Sequence, residues 1–439
     1  MKTCQITIAF LTVPVAACFA SEAQSEQTEA LAEGNKAFAL DLFRQLKANS
    51  GNVFFSPYSI STALALTYAG ARGETEKQMR DVLHFTNVQE VHSAFGVLQR
   101  DLLEAGKQEG IELSIANALW AEQGYPFLPA FLRTATGPYQ ANINQADFKT
   151  APDAARNQIN AWVAQQTRDK IQNILPPGTV DENTRLVLVN AIYFKGLWSI
   201  PYDKTRTSNQ PFHLSSTNQV NAALMHQTET AGYMENSDFQ AVELLYKAGL
   251  DMVIFLPRTI NGRGKLENNL TLALLSATLR QMSWQKVEVF LPRFKLESTF
   301  KLNNTLAKMG MPDAFIWPKA DFSGMDGSSD LYISGVYHKS WCEVTEEGTE
   351  AAAATVGNVT VGVGAVELPP IFRADHPFVF FILDGIHVVT PKVRRQSEAA
   401  TALWKRDTPS QRDPALSISE RPSPRAIHFG VRELAPAFE

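Results

Sequence analysis

Cysteine is scarce in this chain: three in 439 residues, with Cys4 and Cys18 near the start and Cys342 alone in the body. A mature chain with one thiol has no disulfide framework, so its stability must come from a packed core. The arrangements that carry common enzymatic chemistry are missing too. No HExxH, CxxC or phosphate-binding loop occurs, Gly362-Val363-Gly364 lacks the third glycine of a dinucleotide fingerprint, and the eight histidines are scattered without metal-ligand spacing. These absences argue against an enzyme, a metal site and a bound cofactor. A net charge of −5 and a pI near 6.0 give no electrostatic reason to expect nucleic acid or an acidic membrane as partner.

Linker composition is also lacking. No Pro/Gly/Ser-rich stretch divides the chain before residue 390, so one large domain with tails is expected, and an apolar fraction of 45% is ample for its core. Apolar periodicity predicts helices over 27–48, 74–83, 89–105 and 151–170. Ser56 followed by Pro57 reads as a helix start, a hydroxyl cap before a proline that forfeits no hydrogen bond, and predicts a helix over 58–70. Strands are expected at 111–120 and 185–198, in several runs within 220–257, and in the apolar run after His376.

Charge is absent where a surface loop would normally carry it. Between Glu350 and Glu367 there is none, and no Lys or Arg occurs between Gly348 and Phe372. If this stretch forms a strand, one face reads Thr349, Ala351, Ala353, Thr355, Gly357, Val359, Val361, all small or apolar. Such a segment can slide between two existing strands without burying a charge, and Gly348 sits where it would hinge. A flexible linker is the bland reading, but strand-like flanks on both sides argue against it.

On these residues the chain resembles a serpin. The hinge pattern is met by Glu346, Glu347, Gly348, Thr349, Glu350, Ala351, Ala352, Ala353 and Ala354, and the closing signature by Phe372-Arg373-Ala374-Asp375-His376-Pro377-Phe378. Further matches lie at 52–61 and at 190–198. The resemblance implies an α+β serpin fold, with helices packed on three β-sheets and an exposed reactive-centre loop. It also assigns roles: Ser56, Ser59, Asn190 and His338 match the polar cluster that holds the central sheet closed, and Trp198, Glu346 and Arg293 match the group at its top. A Ser/His/Asn set also invites a hydrolase reading, but Ser56 precedes a helix with no G-x-S-x-G around it. Arg293 with Glu346 is expected as a surface pair contributing a few tenths to about one kcal/mol.

The implied function is suicide inhibition. A target serine or cysteine protease cuts the loop, is held as a covalent complex by a monomeric inhibitor, and is dragged away as the loop enters the sheet. The alternative is a non-inhibitory member that acts as a binding or carrier protein. Small aliphatic residues suit an elastase-like pocket, whereas a trypsin-like one finds no cation, and Leu368 is followed by Pro369. Counting from the hinge places the cut near Gly362-Val363; counting back from the closing signature places it near Val366-Glu367, so the candidate region is Val361, Gly362, Val363, Ala365, Val366 and Glu367. A loop of this length gives slack that favours turnover over trapping. The helix over 89–105 offers only Arg100 as a strong base, so no polyanion cofactor is expected.

The ends read differently. Lys2 and the apolar run that follows suggest an export signal over 1–20, with either cleavage after Ala20 or a lipoprotein box at Cys18. A secreted, extracellular or periplasmic protein is expected, its only route to a membrane being a lipid on Cys18. The serpin-like domain then covers 21–390. Residues 391–425 are polar and proline-bearing and read as a disordered insertion or tail, leaving Ala426-Ile427-His428-Phe429-Gly430, within 426–439, as a poor echo of the final sheet strand.

Overall fold

The computed structural model describes residues 15–48, 51–105, 109–139, 141, 143–347, 368–384 and 402–405. Its helices are α1 (Val15–Leu46), α2 (Pro57–Tyr68), α3 (Gly73–Val82), α4 (Val91–Ala105), α5 (Pro129–Thr136), α6 (Pro152–Gln166), α7 (Arg263–Asn269), α8 (Leu272–Gln281), α9 (Asn303–Met309) and α10 (Ser323–Asp326). The strands run β1 (Val53–Phe55), β2 (Ile111–Glu122), β3 (Ile143–Ala146), β4 (Leu186–Gly196), β5 (Ser208–His213), β6 (Gln219–Glu235) and β7 (Phe239–Leu245). They continue as β8 (Leu250–Pro257), β9 (Ser283–Pro292), β10 (Phe294–Lys301), β11 (Gly335–Val344), β12 (Ile371–Arg373), β13 (Val379–Asp384) and β14 (Ala402–Lys405).

Local chemistry explains several boundaries. The Ser56 hydroxyl accepts from the Ser59 N–H at 3.2 Å and Pro57 opens α2, whose first eleven residues are all buried. A helix buried on every side belongs inside the core, and its Ser59, Thr62 and Thr67 hydroxyls are hydrogen-bonded there. The helix expected over 151–170 stops at Gln166, because Arg168 and Asp169 take positive φ and end the helical run.

Five strands form one sheet in the order β10-β11-β4-β2-β3. Its centre is a parallel pair, β4 with β11, registered from Gly335↔Val187 to Cys342↔Phe194. On either side of that pair β2 and β10 run antiparallel. The remaining nine strands form one hydrogen-bonded sheet, eight in the order β1-β14-β13-β8-β7-β6-β9-β12 with β5 branching from β6, since the 17-residue β6 contacts β5, β7 and β9 and so joins the second and third expected sheets. Between the two sheets lies an apolar layer in which Phe194, Trp198, Leu296 and Cys342 meet Leu224, Val289, Phe378 and Phe380. Helix α6 covers the other face of the five-stranded sheet, with Ile159 and Val163 among Trp120, Tyr193 and Trp341. Covered on both sides, β4 is buried along nearly its whole length and is apolar apart from Asn190 and Lys195.

The C-terminal expectation needs correcting. The place between β1 and β13 is filled by β14, from the stretch read as disordered; Ala426 to Gly430 lies outside the described residues. Ala-Leu-Trp at 402–404 is a short apolar run between polar neighbours, and pairing it on both sides removes two open strand edges.

Candidate functional site

Across the centre of the five-stranded sheet, Asn117 on β2 stands opposite Asn190 on β4, which stands opposite His338 on β11. The start of α2 sits over this row. The Ser56 N–H donates to His338 Nε2 at 3.2 Å, so the ring proton lies on Nδ1 and is donated to Asn190 Oδ1. Asn190 in turn donates to Asn117 Oδ1 and to the Ser59 hydroxyl, which itself donates to Asn117 Oδ1 at 2.8 Å. Burial pushes the His338 imidazole down to about 3, so the network is neutral at physiological pH. The four residues singled out in the sequence are thus brought together.

Asn117 completes the network and escaped the sequence reading; its only signal is one amide between Ala116 and Ala118 on a buried strand. No hydrolase chemistry is available here. His338 engages the Ser56 backbone rather than its hydroxyl, which is occupied as a helix cap. The cluster ties α2 to three strands at the point where β4 and β11 meet, and parting those strands breaks the His338–Asn190 contact.

A second constellation closes the top of the same pair. Trp198 stacks on Tyr246 with centroids 4.3 Å apart and donates its indole N–H to the Thr345 carbonyl at 2.9 Å. Arg293 Nε lies 2.7 Å from each oxygen of Glu346. The expected surface pair is in fact part-buried: the Glu346 side chain is 1% exposed against 32% for Arg293. Its burial would raise the carboxyl, but hydrogen bonds from Arg293 and Thr207 outweigh that and hold it below the ordinary range. Removing the arginine would therefore strand a buried charge. Three partners were not foreseen: the Tyr202 N–H donates to the Glu346 carbonyl at 2.8 Å, the Thr207 hydroxyl to its carboxylate, and Lys204 pairs with Glu347.

A family model described as Serpin (serine protease inhibitor) matches residues 33–389. The chain belongs to the serpin family. Leukocyte elastase inhibitor of Homo sapiens is 44% identical over 365 residues, covering 81% of this chain and 95% of that protein. Leukocyte elastase inhibitor A of Rattus norvegicus is 42% identical over the same length and with the same coverage. Among solved structures, Serpin48 of the insect Tenebrio molitor has a TM-score of 0.73 and 32% identity, covering 87% of this chain and 98% of its own. Uncleaved ovalbumin has a TM-score of 0.74 and 29% identity, covering 87% and 100%. This serpin is accordingly a serine protease inhibitor and not an enzyme.

The serpin's loop leaves the end of β11 through Glu346 and Glu347 and returns at Leu368, which is 84% exposed. Gly348, Thr349, Glu350 and Ala351 to Ala354 of the hinge lie outside the described residues, as do the cut-site candidates Val361, Gly362, Val363, Ala365, Val366 and Glu367. Beyond Leu368 the closing signature anchors the chain. Phe372, Ala374 and Phe378 are fully buried, Arg373 lies 4.5 Å over the Phe290 ring, and His376 Nε2 donates to the Pro257 carbonyl at 2.8 Å.

Proposed function

We propose that this serpin traps an elastase-type protease covalently, as a monomer, by taking the cut part of residues 348–366 into the sheet between β4 and β11. One observation carries the reading: the chain leaves β11 beside the sheet's central parallel pair. A segment folding back from β11 runs antiparallel to both neighbours. One parallel interface is thereby exchanged for two antiparallel ones, whose hydrogen bonding is the more stable per residue. The polar cluster and the Arg293–Glu346 pair are the restraints that delay this step.

Valine, alanine and glycine around the cut support a small-pocket target, and the relatives are named for leukocyte elastase. Incubation with leukocyte elastase should give a complex that survives denaturing electrophoresis, and mass spectrometry of the released peptide should place the cut within 361–366. Cleavage that leaves only free fragments would instead make this serpin a substrate. The reading includes export, supported by Lys2 and the apolar run after it, with Cys18 as a lipid anchor if the box is used. An N-terminal mass beginning at Met1 in the mature protein contradicts it.

A further inference from the structure

Residues 197–207, joining β4 to β5, hold the hinge at three points: Tyr202 N–H on the Glu346 carbonyl, Thr207 on its carboxylate, and Lys204 on Glu347. The same connection is pinned to β6. The Gln227 side-chain amide donates both to the Ile200 carbonyl at 3.1 Å and to Glu229 Oε1 at 2.7 Å. Tyr202, only 4% exposed, packs beside this pair and covers one side of Glu229, which is itself half-buried.

We propose that residues 200–207 are a clasp on the hinge and that ionisation of Glu229 loosens it. The functional consequence rests on the loop-insertion reading above; the clasp itself does not. Burial pushes the Glu229 carboxyl up to about 7, against the hydrogen bond from Gln227. The groups that face it are few: Tyr202 from the connection, Gln227 on its own strand, and the apolar Val287 opposite on β9. Lys286 and Glu288 stand beside Val287 and so point to the other face of the sheet, where Glu288 holds His226 at 2.9 Å. Among the described residues no cation compensates Glu229.

Lifting the connection completes the hydration of the half-buried Glu229, and a solvated carboxyl ionises near its ordinary value of 4.5. The open clasp therefore binds fewer protons than the closed one and is favoured as pH rises. Between pH 6 and 8 linkage with these two values gives about a tenfold increase in opening.

The test is hydrogen exchange, read by mass spectrometry, of the peptide covering 197–207 in the full chain at pH 6, 7 and 8, with rates corrected for intrinsic exchange. Wild-type protection should fall about tenfold from pH 6 to 8. Glu229→Gln should remain protected with no slope, and Tyr202→Ala should be poorly protected with no slope, because its carboxyl is already wet. Glu288→Gln, which disturbs only the His226 side, should keep the wild-type slope. A flat wild-type profile, or a slope that survives in Glu229→Gln, overturns the proposal. Since no protease is needed, the two readings separate: a sloped profile without a trapped complex sinks insertion alone, and a trapped complex with a flat profile sinks the clasp alone.

Discussion

At the scale of single residues, the determining feature is that the polar cluster and the Arg293–Glu346 pair each turn on a buried polar group, His338 in one and Glu346 in the other. His338 shows this most directly. Its folded value near 3 lies below the ordinary 6.5, so the unfolded chain takes up a proton first as the solution is acidified. The stability it contributes is complete above about 6.5 and is lost as pH falls from there toward 3, by up to a few kcal/mol. Urea titrations of wild type and His338→Phe between pH 7 and 4 should show a steeper acid decline in the wild type; parallel declines would exclude His338 as the cause. Arg293→Ala should cost about 2–4 kcal/mol of closed-state stability by leaving Glu346 buried and unpaired, and adding Glu346→Gln should recover most of it. A double-mutant cycle on melting temperature decides this, and strict additivity would mean that the two do not interact.

At the scale of elements, the central strands were legible because their patterns are strong. The Ser56-Pro57 pair reads directly as the start of α2, whereas the grouping of Ser56, Ser59, Asn190 and His338 was legible only through the family resemblance; the structure brings the four together. Asn117 was not legible, since a lone amide on a strand does not announce which neighbour it meets. The clasp contacts of Tyr202, Lys204 and Thr207 were missed for a related reason. They are set by the path of a connection rather than by a periodic pattern, and the burial of Glu346 depends on that same path. Strand β14 was hidden because four residues carry too little periodicity to stand out in a polar stretch. Alternation also sets a prediction for the loop. Ala353 belongs to its uncharged face, so Ala353→Glu would bury an unpaired carboxylate on insertion and should turn most encounters with elastase into cleavage without a trapped complex. Unchanged trapping on a denaturing gel would show that this face does not enter the sheet.

At the scale of the whole molecule, the two sheets, the layer between them and the covering helices form a frame in which a single seam, β4 against β11, is held by polar contacts at its middle and its top. In the proposed mechanism, parting that seam breaks these few contacts, so small restraints govern a large rearrangement. What separates the states is the strand pairing still to be gained, which makes the intact form the less stable one. That claim is tested most directly by scanning calorimetry of the serpin before and after a single cut within 361–366. The account predicts that the cut protein melts ~10 °C or more above the intact one, because several kcal/mol of new pairing is formed. Coincident melting curves, with the cut confirmed by mass spectrometry, would contradict it.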